Sequence, residues 1–414
     1  MTTVVRSLAV LSLHTSPLAQ PGSGDGGGMN VYVHELSSAL ARAGVDCDVY
    51  TRACEPGLAD VVEVEPGFRV HNVVAGPPGP VAKEQLPELV PEFTAGVRRR
   101  MERTLDIPGL IHANYWLSGV AGHELKHALN LPLVSTFHTL ARVKAETCGD
   151  EPEQRARAEA QVIGCSDAIL ASTAEERAQL ERLYAAPSER VEIVAPGVDH
   201  RTFSPGPRAA SRAVLGLGDG PVLLFVGRIQ RLKGADVAVR LLAHLDGDGH
   251  THSAASLVIV GGPSGPDGEA ELARLHQLVD EHSLGARVRF VPAEPHDHLA
   301  TYYRAADACL VPSRSESFGL VALEAAACGT PVVAAAVGGL RSLVDHGRTG
   351  FLVEGRDPAA YAAYVGEILD NPRLASEMSR RAVASALGYR WSMTAARLRR
   401  VYADLAARQL VECS

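Results

Sequence analysis

Ser7-Leu8-Ala9-Val10-Leu11-Ser12-Leu13 leads into Gly24-Asp25-Gly26-Gly27-Gly28-Met29-Asn30, and a helical stretch runs from Val31 to Ala43. A short apolar strand, a glycine turn and a helix are the first unit of a parallel α/β sheet. The turn leaves backbone N–H groups unpaired at a helix start, where they can hold a phosphate. Alone the glycine run is a weak signal, since a flexible turn explains it equally well, and it is not a G-x-x-x-x-G-K-[ST] phosphate loop.

The same alternation continues through the chain. Further apolar runs fall at 46–50, 68–73, 110–112, 131–136, 168–171 and 191–193, then at 222–226, 256–260, 288–290, 308–311 and 331–334. Continuous apolar strands separated by helices predict parallel sheets covered on both faces. The pattern pauses at Pro196-Gly197-Val198-Asp199 and Phe203-Ser204-Pro205-Gly206-Pro207 and restarts at Pro221. That pause predicts a first α/β domain over 1–204 and a second over 205–390. An amphipathic final helix in 391–414 is expected to return to the first.

Composition excludes several classes. The chain has 414 residues, enough for two full cores, with 46% hydrophobic and 21% charged residues. A net charge of −8 argues against nucleic acid or an anionic membrane as partner. No apolar run approaches the ~18 residues of a membrane helix. The apolar start reads as a strand rather than a signal peptide, so a cytoplasmic protein is expected. The seven cysteines show no paired spacing and read as reduced thiols. The sixteen histidines read as scattered, without an H-E-x-x-H pattern, and His296-Asp297-His298 reads as a solvated loop rather than a metal site.

The chemistry concentrates at strand ends. Arg228 and Lys233 follow the run 222–226 and offer a planar fork of donors and a mobile point charge. That pair suits a diphosphate leaving group; by itself it reads equally as two surface cations. Glu316-Ser317-Phe318-Gly319 precedes a helix, and Glu324 lies eight positions beyond Glu316, about two helical turns. Carboxylates accept strongly from sugar hydroxyls. Apolar neighbours of Glu324 argue against a plain surface helix. Gly338-Gly339 would let backbone approach a ligand closely. His14 reads equally as a ligand contact and as a hydrogen-bonded loop histidine, whereas His138 is favoured as a site residue. No D-x-D carboxylate pair follows a strand, so no catalytic metal is expected and the two cations would neutralise the diphosphate.

His14-Thr15-Ser16-Pro17 through Gly28-Met29-Asn30-Val31-Tyr32, Tyr115-Trp116-Leu117-Ser118-Gly119, Phe137-His138-Thr139-Leu140, Val226-Gly227-Arg228 with Lys233-Gly234, and Glu316-Ser317-Phe318-Gly319-Leu320 with Glu324 resemble the retaining GT-B glycosyltransferases of family 4. The resemblance spans nearly the whole chain. It is strongest to the actinobacterial branch that moves N-acetylglucosamine from UDP-GlcNAc to inositol phosphate, the first step of mycothiol synthesis. It implies two Rossmann-like domains facing across a cleft, the acceptor on the first and the nucleotide sugar on the second. Arg228, Lys233 and the Gly28 amide would hold the diphosphate, Glu324 the ribose and Glu316 the sugar. Ser317, Phe318 and Gly319 would add backbone, while Gln20 and Pro21 line the donor pocket. Lys83, Tyr115, Thr139 and Arg155 would grip the acceptor phosphate, with Arg157 the competing choice. His14, Asp25 and Asn30 would meet inositol hydroxyls. The resemblance also implies a structural magnesium ion near Tyr303, Arg304, Ala306 and Thr330, and a homodimer.

Three departures keep a second reading open. The branch usually reads His-Ser-His-Tyr-Trp at His112-Ala113-Asn114-Tyr115-Trp116, Val-Lys-Asn at Val143-Lys144-Ala145, and Gly-Gly-Leu-Pro at Gly338-Gly339-Leu340-Arg341. A paralogue in an antibiotic or other specialised-metabolite pathway, serving an aminocyclitol or thiol acceptor, is that reading. A nucleotide-sugar epimerase and a non-enzymatic sugar-nucleotide sensor are weaker ones. Retention of configuration points to same-face attack, because no carboxylate stands ready as a nucleophile. In that scheme Arg228 and Lys233 steady the departing diphosphate and His138 assists at the donor sugar.

Overall fold

Leu8, Ala9, Val10 and Leu11 are all buried, so strand β1 (Ser7–Leu11) must be covered on both faces. It is the centre of the first of two sheets. The computed structural model describes residues 5–22, 24–103, 107–149, 152–245 and 254–413. They divide into two compact units, one of Met1–Ala19, Met29–Gly197 and Trp391–Ser414, the other of Gln20–Gly28 and Val198–Arg390. The chain thus changes unit a little before residue 205, and the glycine loop belongs with the second unit.

In the first unit β1 is joined by β2 (Asp46–Arg52), β3 (Val61–Glu65), β4 (Phe68–Val73), β5 (Ile111–Asn114), β6 (Leu133–Thr136), β7 (Ala168–Ala171) and β8 (Val191–Ile193). Their order is β3-β4-β2-β1-β5-β6-β7-β8, parallel except for β3, which pairs antiparallel with β4. The second unit holds β9 (Val222–Val226), β10 (Ser256–Val260), β11 (Val288–Val291), β12 (Ala308–Val311), β13 (Val332–Ala335) and β14 (Gly350–Val353). Its order is β11-β10-β9-β12-β13-β14, parallel throughout.

Both orders reverse at a definite strand. β1 lies between β2 and β5, and β9 between β10 and β12. The crevice beyond the carboxyl ends at such a switch is where open α/β sheets take ligands. Residues after β1 and β5 must therefore meet, and so must residues after β9 and β12.

The helix Trp391–Ala406 buries Trp391, Ala395, Leu398, Val401, Tyr402 and Leu405, the spacing of one helical face. These pack with Tyr32, Leu36 and Leu40 of the helix Gly28–Arg42 in the first unit's core. The Tyr402 hydroxyl lies 2.9 Å from His112 Nδ1 and fixes the returning helix to β5.

Candidate active site

In the second unit the switch brings Lys233, after β9, against Glu316, after β12. The Lys233 ammonium donates to Glu316 Oε2 at 2.7 Å, and the Ser313 hydroxyl donates to the same oxygen at 3.3 Å. Arg228 lies beside the glycine loop: a Cβ on Gly27 would come within 3.2 Å of its Nε, so a larger residue there would press on the guanidinium. The loop is fastened to this unit by the Gln20 amide donating to the Ala293 carbonyl at 2.8 Å and by Gly262 N donating to the Gly22 carbonyl at 2.9 Å. Ser264 adds its hydroxyl to the Gly24 carbonyl and accepts from Gln230 at 3.0 Å. Pro21 is half-buried in this loop, and Gly28 begins the following helix.

Gly338 stands at φ +46, and a Cβ there would fall 2.0 Å from the Glu316 carbonyl. Gly339 N donates to that carbonyl at 2.9 Å. The close backbone approach read from Gly338-Gly339 is therefore made to the Glu316 loop. It sets the position of Glu316, Ser317 and Phe318 ahead of the helix Leu320–Ala327, with Gly319 at its N-cap.

Glu324 is 4% exposed. Its Oε1 lies 2.7 Å from His296 Nε2, and its Oε2 accepts from the Tyr303 hydroxyl at 2.8 Å. Burial and the Glu324 charge push the Tyr303 phenol well above its ordinary value, so it remains a donor. His296-Asp297-His298 forms a 3₁₀ turn in which Asp297 and His298 are exposed, as a solvated loop would have them, while His296 turns inward and packs at 5.0 Å from Phe203. Of the oxygens expected to hold magnesium, the Thr330 hydroxyl donates to the Tyr303 carbonyl at 2.5 Å. Arg304 donates to the Thr202 and Ser204 carbonyls, both at 2.7 Å, and Ala306 N bonds the Tyr302 and Tyr303 carbonyls. The Thr330 hydroxyl and the backbone carbonyls here are hard oxygens of a kind magnesium accepts, whereas the Arg304 guanidinium and the Ala306 N–H are hydrogen-bond donors that cannot ligate it.

In the first unit, His14 after β1 meets Tyr115 after β5 with ring centroids 5.1 Å apart. Tyr115 and His138, at the ends of neighbouring β5 and β6, hold φ of +73 and +60, left-handed conformations that cost bulky residues of order 1–3 kcal/mol. Paired strain at the ends of adjacent strands is of the kind that clusters at ligand sites. The Tyr115 ring carries Lys83 Nζ at 5.5 Å and the Arg155 guanidinium at 5.2 Å, and its buried hydroxyl has no partner among the described residues. Arg155 donates to the Thr139 hydroxyl and carbonyl, both at 3.0 Å, and from Nε to Glu159 at 2.8 Å. Lys83, Tyr115, Thr139 and Arg155 thus form one cluster. Arg157 is 76% exposed and reaches Glu153.

His138 donates from Nε2 to Asn114 Oδ1 at 2.9 Å and packs edge-on to Tyr32 at 4.9 Å. Lost solvation, with a smaller push from His112, lowers its pKa to about 3, so it is a neutral imidazole. Asn30 is fully buried, with its amide on the Thr15 hydroxyl at 2.7 Å and the Ser16 carbonyl at 2.5 Å. It shapes the His14–Ser16 loop. Asp25 lies in the glycine loop, which belongs with the second unit.

Several contributors escape motif reading. Glu159, which orients Arg155 and accepts from Ala141 N at 2.9 Å, shows only as an i,i+4 pair. Ser264 carries no sequence signal of its own, and nothing in the sequence signals that Asn114 and His296 hold His138 and Glu324. The reduced-thiol expectation needs correction: Cys165 and Cys413 stand as a disulfide pair, brought together by the segment after the last helix. Cys47, Cys54, Cys309 and Cys328 are free, and the Cys148 side chain lies outside the described residues. Among the described residues, no helix is long and apolar enough to cross a membrane.

Both halves match family models: Glycosyltransferase Family 4 over residues 26–202 and Glycosyl transferases group 1 over 207–384. The chain is 46% identical over 411 residues to D-inositol 3-phosphate glycosyltransferase 2 of Catenulispora acidiphila, covering 97% of this chain and 96% of that one. It is 48% identical over 399 residues to the D-inositol 3-phosphate glycosyltransferase of Frankia alni, covering 94% and 97%. Among solved structures, sucrose-phosphate synthase from Thermosynechococcus elongatus superposes with a TM-score of 0.90 at 35% identity, over 97% of this chain and 99% of that one. HepE of Anabaena, in complex with UDP and glucose, shares the fold with a TM-score of 0.77 at 19% identity, over 96% and 100%. The chain is therefore a hexosyltransferase of GT-B fold, belonging to the family 4 glycosyltransferases in the group of the D-inositol 3-phosphate glycosyltransferases.

Proposed function

We propose that this enzyme transfers N-acetylglucosamine from UDP-GlcNAc to inositol 3-phosphate with retention of configuration, the first step of mycothiol synthesis in the cytoplasm. The observation that carries the acceptor is the cluster of Lys83, Arg155, Thr139 and the unpartnered Tyr115 hydroxyl. Two cations against one tyrosine ring, one of them on the Thr139 hydroxyl, suit a phosphate dianion. On the donor side, Lys233 exchanges Glu316 for the diphosphate. Arg228, Lys233 and the Gly28 amide then stabilise the charge that builds as the sugar bond breaks. Glu316, released from the ammonium, accepts from the sugar hydroxyls, and Glu324 accepts from the ribose through a lone pair left by His296 and Tyr303.

The acceptor hydroxyl attacks on the face the diphosphate leaves, and a diphosphate oxygen takes its proton. His138, neutral and with its one N–H given to Asn114, can only accept a hydrogen bond from the sugar through Nδ1, and it carries no charge to the site. Any magnesium at Tyr303, Arg304, Ala306 and Thr330 has a structural role, bracing the helix Leu299–Ala305, and no step runs through it. The family resemblance supports a homodimer.

The test is a turnover screen of UDP- and GDP-sugars against inositol 3-phosphate, free inositol, aminocyclitols and small thiols, read by mass spectrometry. A product only with UDP-GlcNAc and inositol 3-phosphate supports the reading, and preferred use of another acceptor refutes it. One observation favours the second reading, a specialised-metabolite paralogue: Asn114, in a position that is histidine in the branch, has a buried amide nitrogen with no partner among the described residues. A different acceptor hydroxyl or amine could fill that bond.

A further inference from the structure

His123-Glu124-Leu125-Lys126-His127 lies on the helix Trp116–Leu129, so its two imidazoles share one face a turn apart. The reading of the histidines as scattered passes over this H-E-x-x-H spacing. Cys165 ends the helix Glu153–Cys165, and Cys413 arrives on the segment after the last helix. The four ligand atoms all lie within 4.8 Å of one another. His127 Nε2 is 3.1 Å from Cys413 Sγ and 3.3 Å from Cys165 Sγ, and His123 Nε2 is 3.9 Å from Cys413 Sγ. The edges of a tetrahedral zinc site with these ligands are about 3.3–3.8 Å, from bond lengths near 2.0–2.3 Å.

We infer that His123, His127, Cys165 and Cys413 form a structural Cys₂His₂ site for a zinc ion that fastens the final segment to the first unit. A disulfide accounts for two of the four groups; a shared soft cation accounts for all four. The surroundings support a fixed site. Lys126 Nζ, paired at 2.9 Å with Asp167 in the interior, donates to the Cys165 carbonyl at 2.8 Å and holds the helix end that presents the thiol. Asp167 in turn accepts from Val411 N at 2.6 Å, two residues before Cys413. Four protein ligands leave no open position for water, so the site is structural and Glu124 has no hydrolytic role. Zinc takes the two cysteines as thiolates, releasing their two protons; the disulfide pair must first accept two electrons from a thiol or phosphine reductant.

The full chain, kept in a phosphine reductant, stripped with a chelator and dialysed against zinc alone, should retain about one zinc ion per chain. Cobalt in its place should give the visible d–d bands and thiolate charge-transfer band of a tetrahedral sulfur site. Cys413→Ser and His127→Ala, at half-buried and exposed positions, should each lose the metal while circular dichroism and UDP release stay at wild-type level. The inference is overturned if the reduced chain retains no zinc, if it stays two hydrogens lighter by intact mass in reductant, or if both variants bind zinc as the wild type does.

Discussion

Lys233 and Glu316, contributed by the loops after β9 and β12, are joined at 2.7 Å on the crevice edge of the second sheet. Their side chains are 24% and 18% exposed, so solvent still screens the pair and its worth to stability is small, about 0–1 kcal/mol. A cation held by a partner it must give up is preorganised for an anion that arrives with substrate. Lys233→Ala and Arg228→Ala should each lower kcat by about 10²–10³ while leaving the melting temperature nearly unchanged. Steady-state kinetics with calorimetry checks this, and near-normal turnover in both variants refutes the leaving-group role.

Arg155 and Arg157, two residues apart on one helix, should behave in opposite ways. Arg155→Ala removes a cation from the Tyr115 cluster and leaves the buried Glu159 without its counter-charge, a loss of about 3–5 kcal/mol. Arg157→Ala should stay within about 0.5 kcal/mol of wild type. Arg155→Lys keeps a charge and should raise KM for a phosphorylated acceptor, with KM for the nucleotide sugar unchanged. Equal effects at both positions in denaturant titrations and acceptor kinetics would contradict the cluster.

Gly338 makes a steric claim that a matched control isolates. Ala at 338 meets the Glu316 carbonyl at 2.0 Å, whereas Gly347, also at positive φ, has nothing within 4 Å of an added Cβ. Gly347→Ala should cost about 1 kcal/mol of conformational strain alone. Gly338→Ala must displace the Glu316 loop, and should weaken UDP-sugar binding measurably by titration calorimetry.

His112 and His138 are both held to a pKa of about 3, chiefly by burial. Each folded-state value lies below the unfolded 6.5, so between these values the unfolded chain binds more protons and stability rises with pH. Stability is therefore fully present above about pH 6.5 and is lost as pH falls toward 3. Urea titrations at pH 5, 6 and 7 should show the decline, and His112→Gln should flatten it. A slope of opposite sign would mean that the imidazoles are charged in the fold.

Much of this was legible because parallel strands buried on both faces are continuous apolar runs: 222–226 and 308–311 match β9 and β12 end to end. β3, Val-Val-Glu-Val-Glu, escapes that search because an edge strand alternates apolar and charged residues, with Glu63 toward solvent and Glu65 held by Ser38 and Arg42. β14 escapes because it opens on Gly350. At the site, Arg228, Lys233 and Glu316 stand at strand ends, where chain order alone predicts chemistry. Their supports do not: His296 reaches Glu324 from another element, and Glu159 acts through Arg155. Such partnerships arise only when the chain folds, and local spacing holds no trace of them.

The acceptor phosphate tests the account most directly. Initial rates of UDP release from UDP-GlcNAc should be compared for inositol 3-phosphate and free inositol, in the wild type and in Lys83→Ala. The account predicts that the wild type strongly prefers the phosphorylated acceptor and that Lys83→Ala loses most of that preference. Equal rates with both acceptors, or a preference untouched by the substitution, would contradict it.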